Sequence, residues 1–348
     1  MRRAICVVSE DITMPLDEGI KIFAHSLLNS WKRDYRVIGL SAQSGSNHGS
    51  GHVISTRMNK LFMSLRLWAL KRRFHPQVVC YVPSASATLF SFIRSRILKL
   101  CWPAAHVIMV SLQPRPYNRL ARRLVKYLAP DMVFVQDEIS LKNLQELGCK
   151  ASLLPSGVDV QKFKPVSPNQ KTELRRKYGL KPDVFTVLHV GHIKTERGID
   201  LLSKVQRRYN VQTVLVGSSL PDMKRNEIEE ELRRDGVVII DKFIGDIQEL
   251  YQLADCYLFP VFSEHAAIGT PLSVLEAMAC NLPVVTVKFG GLQGLFKAGD
   301  GLYYADNPEM LLEIIGRIKN NSGCQTRSKV LDYSWNHVAA DILTKCEA

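Results

Sequence analysis

The run Gly269-Thr270-Pro271-Leu272-Ser273-Val274-Leu275-Glu276 is the densest cluster of chemistry-bearing residues in the sequence. Threonine is a good helix N-cap and proline suits the first helical position, so Thr270 and Pro271 predict a helix start with outward-pointing N–H groups. A helix N-terminus in a strand-end crevice attracts anions, and a diphosphate is the obvious one. Glu276, about one and a half turns further on, is then placed to accept hydrogen bonds from a ribose. An ordinary capped helix with a solvent-facing glutamate fits the same residues.

The elements that must position this run follow from its surroundings. Short β-branched stretches alternate with helical patterns, which predicts parallel sheets joined by crossover helices, an α/β protein. Strands are expected at Ala4–Val8, Arg36–Leu40, Val78–Val82, His106–Val110 and Met132–Val135, and again at Thr186–His189, Thr213–Val216, Val237–Ile240, Cys256–Phe259 and Pro283–Val287. Gly191, Gly217 and Gly290 fall just beyond three of these, where strand carboxyl ends face a ligand crevice. Leu154-Pro155-Ser156-Gly157-Val158-Asp159 and the Pro- and Lys-bearing stretch 162–169 read as a hinge. No GxGxxG follows the first strand and no GxxxxGK[ST] occurs, so the phosphate loops of a dinucleotide dehydrogenase and a P-loop NTPase are both missing.

Composition narrows the class. The 348 residues suffice for two α/β domains. Eight cysteines, never closer than 21 positions apart, form no CxxC pair and suit a reducing compartment. The apolar run Ala4–Val8 is too short for a signal-peptide core, and no stretch approaches the ~20 apolar residues of a membrane span. A cytoplasmic protein is expected. The net charge of +13 is confined to residues 1–158, with 22 Lys+Arg against 9 Asp+Glu, whereas the remainder is neutral. Two basic amphipathic helices stand out there. One, at 60–73, carries Leu61, Leu65, Trp68 and Ala69 beside Lys71, Arg72 and Arg73; the other, at 119–128, carries Leu120, Leu124, Tyr127 and Leu128 beside Arg119, Arg122, Arg123 and Lys126. Such stripes serve either as core contacts under a solvated charged face or as a face for an anionic partner.

Four ordered segments carry a resemblance. LEAMACNLPVV followed by FGG, LPSGVDVQKFKP, HVGHIKTERGIDLL and YSWNHVAADIL resemble, in order and spacing, the motifs of the family 4 retaining glycosyltransferases. The match covers most of residues 130–348, and the first half agrees only in outline. The resemblance implies a GT-B fold, two Rossmann-like domains facing each other across a cleft. Its expected parts are an acceptor-side domain at 1–158, a linker at 159–182, a donor-binding domain at 183–330 and a terminal helix at 331–348 that can cross back to the first domain. It implies a nucleoside diphosphate-sugar as co-substrate, no other cofactor and no metal.

Carried over by position, the implied donor-binding set is His192, Arg197, Gly217, Ile244, Gly269, Thr270, Leu272, Ser273 and Glu276, with the diphosphate neutralised by His192, where the family has arginine, and Arg197, where it has lysine. The family's Glu-x7-Glu pair keeps its second member at Glu276, but the first falls on Ile268; either Glu264 or His265 replaces it or it is absent. Glu18 and Gly19 resemble the glycine loop near phosphate and acceptor. Gln113 occupies a position often held by histidine and can donate to a sugar hydroxyl without acting as a base. Glu264 and Gln113 are therefore the candidate catalytic residues.

The resemblance also implies a saccharide or lipid-linked acceptor. With it, the basic half points to an anionic membrane surface, peripheral on the inner face of the plasma membrane. Nucleic acid lacks any accompanying finger, RNP or basic-zipper pattern and is not expected. Two rivals keep the fold: a catalytically impaired nucleotide-sugar-binding protein or partner subunit, and a nucleotide-sugar epimerase.

Overall fold

The computed structural model describes residues 3–42, 53–55, 58–59, 61–62, 65–217, 223–320 and 323–347. The chain divides into two compact units. The first runs to Gly157 and takes in Ile268–Thr270 and the chain from Trp335; the second comprises Val158–Ala267 and Pro271–Ser334.

In the first unit the elements are β1 (Ala4–Ser9), α1 (Gly19–Trp31), β2 (Arg36–Ser41), β3 (Val53–Ser55), α2 (Leu65–Arg73), β4 (Val78–Tyr81), α3 (Leu89–Cys101), β5 (His106–Ser111), α4 (Arg119–Leu128), β6 (Met132–Val135), α5 (Glu138–Glu146) and β7 (Ala151–Leu153). Its seven strands lie in the order β3-β2-β1-β4-β5-β6-β7, every pair parallel. Strands β1, β4 and β5 are nearly continuous apolar runs, as a sheet covered on both faces requires. Chain order reverses at β1, so right-handed crossovers put α2, α3, α4 and α5 on one face, where they share a single core with Phe62, Tyr81, Phe92 and Val125. The terminal helix α13 (Trp335–Glu347) packs on α1, with Trp31 donating from Nε1 to the Ala339 carbonyl at 3.0 Å and Phe23 edge-on to Trp335.

The second unit contains α6 (Pro168–Lys177), β8 (Thr186–Val190), a 3-10 turn (Thr195–Arg197), α7 (Asp200–Tyr209), β9 (Gln212–Val216), α8 (Met223–Arg234), β10 (Val238–Ile240), α9 (Gln248–Leu253), β11 (Cys256–Phe259), α10 (Leu272–Ala279), β12 (Val284–Val287), α11 (Leu292–Leu295), β13 (Leu302–Ala305) and α12 (Pro308–Asn320). Its sheet, also parallel throughout, has the order β10-β9-β8-β11-β12-β13. The order reverses at β8, and the crevice beyond the strand ends there is the natural ligand position of such a sheet.

Three strands escape the sequence reading: β3, β7 and β13. All are sheet edges of three or four residues, too short to show a pattern. The helix expected at 60–73 starts only at Leu65, because Phe62 has a positive φ of 60° that no helix allows; positions 60, 63 and 64 lie outside the described residues. Its core-facing residue is Leu67, and Trp68 points outward with 57% of its surface exposed.

Candidate functional site

Several segments of the second unit bring chemistry to the strand ends. The first follows β8. Gly191 donates its N–H to Val216 at 2.8 Å, and the turn that follows folds the Arg197 side chain back across the glycine. A Cβ at Gly191 would stand 2.1 Å from Arg197 Nη1, so glycine is what admits the guanidinium. Gly198 ends the turn with φ 65°, a left-handed conformation suited to glycine. A Cβ on Gly217, at the end of β9, would meet Ile193 and the Gly191 carbonyl at 2.6 and 2.8 Å. The two loops therefore approach at backbone distance.

Arg197 is only 8% exposed. Its Nη2 donates to the Ala266 carbonyl at 2.8 Å, its Nε has no partner, and burial holds its pKa below the usual arginine value. A buried cation with an unused donor is an incomplete arrangement that an anion would complete. Beneath it, His189 in β8 is fully buried with Nδ1 2.9 Å from the Leu258 carbonyl and Nε2 unpartnered. Burial and the adjacent Arg197 lower its pKa to about 4, so its imidazole is neutral and the local positive charge belongs to Arg197. His192 lies in the same loop as Arg197, partly buried.

The second contribution comes from α10. The helix begins at Leu272 with Pro271 as its N-cap, one residue later than expected, and no side chain caps it. The reason is long-range. Inside the first unit, the Gly269 N–H donates to the Leu112 carbonyl at 2.7 Å, the Thr270 N–H to Gln136 Oε1 at 2.8 Å, and Ser156 Oγ to the Thr270 carbonyl at 2.8 Å. A Cβ at Gly269 would be 2.9 Å from that of Gln136, which accounts for the glycine. The amides of Gly269 and Thr270 are thus already bonded, and the anion-seeking amides are those of the helix's own first turn, Leu272 and Ser273.

Glu276 follows one turn on. Tyr251, buried in α9, donates its hydroxyl to Glu276 Oε2 at 2.6 Å. Burial raises the carboxyl pKa to about 7, while the Tyr251 hydrogen bond and the Lys162 charge pull it down. Lys162 donates to the Gly245 carbonyl at 3.3 Å, and Phe163 packs edge-on to Tyr251. Tyr257 of β11 ties the halves of the site together: its hydroxyl donates to the Val190 carbonyl at 3.3 Å, is hydrogen-bonded by Ser273, and feels the charges of Arg197 and Glu276. Ile244, after β10, is partly buried against the same core.

Of the remaining sequence candidates, Glu264 belongs to the second unit, and Gln113, Glu18 and Gly19 belong to the first. Glu264 is exposed in the loop after β11, and Ile268, at the position of the first glutamate, is buried. Gln113 follows β5 with its N–H on Ser86 Oγ at 3.0 Å and its side-chain oxygen accepting from Arg115 at 3.3 Å. Glu18 is the exposed N-cap of α1, Gly19 its first residue, and Lys21 pairs with Asp11 and Asp17 at 2.8 and 3.1 Å. Sequence reasoning missed His189, Lys162, Tyr251 and Tyr257. Lys162 and His189 left a signal, since they stand in the LPSGVDVQKFKP and HVGHIKTERGIDLL segments.

Residues 170–334 match the family described as "Glycosyl transferases group 1". A relative named as an uncharacterised glycosyltransferase of Methanocaldococcus jannaschii is 29% identical over 211 residues, 55% of this chain and 52% of that protein. The chain spans about half the length of the curated relatives it matches. Among solved structures, a sucrose-phosphate synthase from Thermosynechococcus elongatus aligns over 99% of this chain and 98% of its own with TM-score 0.79 and 19% identity. Anabaena HepE in complex with UDP-glucose aligns over 99% of both chains with TM-score 0.76 and 18% identity. At these identities the likeness is one of fold.

Proposed function

Because residues 170–334 belong to the glycosyl transferases group 1 family, we propose that this protein transfers a sugar from a nucleoside diphosphate-sugar to a saccharide or lipid-linked acceptor. The observation that carries the reading is the buried Arg197 guanidinium, with an unpartnered Nε, above Gly191 and Gly217 at the strand ends. A departing nucleoside diphosphate develops negative charge, and stabilising it is the principal electrostatic task. Arg197 and the free first-turn amides of α10 would supply that potential without a metal ion, with His192 beside them. Glu276 would accept from the ribose, and Ile244 would lie against the base.

Retention of anomeric configuration follows if the acceptor attacks the face the diphosphate leaves, with a phosphate oxygen taking the proton. Gln113 would orient an acceptor hydroxyl, Glu18 and Gly19 would line the acceptor side, and Glu264 is the carboxylate nearest in sequence to the vacant first-glutamate position. This reading puts the protein at the cytoplasmic face of a membrane, in polysaccharide, lipopolysaccharide or glycolipid assembly.

A second reading has its own support. Buried Ile268 and the committed amides of Gly269 and Thr270 favour a protein that binds the nucleotide-sugar without turning it over. Thermal shift against UDP-, GDP- and ADP-sugars tests binding: ligand at 100 times its dissociation constant adds about 2.7 kcal/mol. Release of nucleoside diphosphate with and without candidate acceptors then separates the two. A shift with no release under any condition selects the non-catalytic reading, and no shift at all with folded protein sinks both.

A further inference from the structure

The apolar stripe of α4 is not a core contact. Leu120, Leu124 and Tyr127, at i, i+4 and i+7, are 60%, 38% and 68% exposed, and the helix is held instead by Ala121 and Val125, with Leu128 partly buried. Between these apolar side chains stand Arg119, Arg122, Arg123 and Lys126, all exposed and none in an ion pair among the described residues. The neighbouring helices on the same sheet face repeat the pattern: α3 exposes Phe90 and Leu100 with Arg96, and α2 exposes Trp68 with Arg72 and Arg73. Trp68 forms one wall of a cleft of about 300 Å³ shared with Lys71, Arg72, His75 and Trp102.

The charge on this face is of one sign for a chemical reason visible in the sequence. From Tyr35 to Pro130 the chain contains 15 Lys+Arg and no Asp or Glu. Two of the exposed aromatics are paired with a lysine of their own helix, Lys71 over Trp68 at 5.0 Å and Lys126 over Tyr127 at 4.7 Å. An aromatic body with an ammonium group over its ring suits a boundary where one side is apolar and the other wet and anionic. An acidic protein partner would meet the charges but leave the interleaved apolar side chains without a shared apolar phase. Nucleic acid would likewise leave Leu120, Leu124 and Leu100 unused.

We propose that the face formed by α2, α3 and α4 docks on an anionic phospholipid surface, with Trp68, Leu120, Leu124 and Tyr127 entering the headgroup–acyl boundary while the flanking arginines and lysines hold the lipid phosphates. The inference rests on the reading above only in placing transfer at a membrane. Attachment is hydrophobic as well as electrostatic, and so it persists where pure adsorption is screened.

Flotation with phosphatidylcholine vesicles, with and without phosphatidylglycerol, at physiological salt tests this. The wild-type protein is expected on the anionic vesicles alone, and Trp68 emission should shift to the blue there, an effect that Trp68→Phe removes. Leu124→Ser/Tyr127→Ser and Arg122→Glu/Arg123→Glu should each lower the bound fraction about tenfold or more. Absence of flotation overturns the proposal, as does retention on nucleic acid without flotation. Flotation unchanged in Leu124→Ser/Tyr127→Ser with no change in Trp68 emission overturns insertion. The nucleotide-sugar thermal shift is run on the same variants and should be unaltered. Vesicle binding without any nucleotide shift would sink the transfer reading alone, and a nucleotide shift without vesicle binding would sink the docking face alone.

Discussion

The two units share one construction, a parallel sheet whose order reverses at a central strand, yet they treat polar groups in opposite ways. The second unit, with 23 Lys+Arg against 22 Asp+Glu, is close to charge-neutral and takes Arg197 and His189 out of water, leaving Nε of one and Nε2 of the other unpartnered. The first unit carries nearly all of the excess positive charge, 23 Lys+Arg against 11 Asp+Glu, and places much of it on exposed helix faces, alongside Leu120, Leu124 and Tyr127. Unsatisfied groups inside a crevice point to a small ligand that completes them; unsatisfied apolar and basic groups on a surface point to an extended partner. One sheet architecture thus supports two kinds of incompleteness, and each is tested by a different type of substitution.

The largest expected effect breaks the second unit's half of the contrast. Arg197→Met removes a desolvated cation while roughly keeping its buried stem. Transfer should fall ~10²–10³-fold, about 2.7–4 kcal/mol of transition-state stabilisation. Thermal stability should hold or rise, because the unpartnered buried donor disappears with the charge. Parallel measurement of nucleoside diphosphate release and melting temperature checks both. A melting temperature lowered in step with activity would mean that the bond to Ala266 matters structurally and that Arg197 is no anion site in waiting.

Next in size is the pH dependence set by Glu276. Its pKa is about 7 in the folded protein against an ordinary glutamate value of 4.5, so the native state holds a proton that the unfolded chain has lost between those values. The raised pKa therefore contributes stability that is complete below about 4.5 and is lost as pH rises through about 7, a cost of roughly 1–3 kcal/mol. Glu276→Gln should flatten this slope. Nucleotide affinity should run the other way, strengthening from pH 6 to 8 as the carboxylate forms to accept the ribose hydroxyls. Tyr251→Phe, which deletes the 2.6 Å donor to the carboxylate, should move that midpoint to higher pH. Affinity independent of pH in the wild-type protein would remove Glu276 from the site.

A comparable change can be made at the glycine. Gly191→Ala drives a methyl group against Arg197 Nη1 and should cost about 1–3 kcal/mol through overpacking, together with donor affinity. In the Arg197→Met background the longer guanidinium is gone, so the two costs should not add. Additive costs in a double-mutant cycle would show that the glycine serves the backbone alone.

How far these groups could be read from the sequence depends on the distance over which each is specified. The alternation of β-branched runs and helices is local, and it yields every central strand of both sheets; β3, β7 and β13 are lost because edge strands of three or four residues carry too little pattern. Arg197, Ser273 and Glu276 are legible because they sit within recognisable segments. The start of α10 is not, because Pro271 becomes the cap only once the Thr270 amide has been drawn to Gln136, 134 positions away in the chain. The roles of Tyr251 and Tyr257 are equally hidden, and so is that of His189, although it opens the HVGHIKTERGIDLL segment. Each looks like a core aromatic until the pairing of β8 with β11 and the packing of α9 bring its polar atom to the crevice. In the first unit the spacing of apolar residues in α4 marks an amphipathic helix, but not which side faces inward. Ala121 and Val125, the smaller residues, take the core position and leave the larger ones outside.

The smallest expected effect settles that last point. All four tryptophans, Trp31, Trp68, Trp102 and Trp335, belong to the first unit, so intrinsic fluorescence during urea unfolding reports that unit by itself. Leu124→Ser exchanges an exposed side chain and should change stability by no more than about 0.5 kcal/mol. Its neighbour Val125 is fully buried, and Val125→Ala should cost about 1.5 kcal/mol or more in lost transfer energy and residual cavity. Two adjacent aliphatic residues on one short helix would then differ threefold or more in their effect on folding, with the order reversed for vesicle binding. A stability loss at Leu124 matching that at Val125 would mean that the stripe is packed against something in the free protein. The first unit would then lose its open face, and the contrast with the second unit would reduce to charge alone.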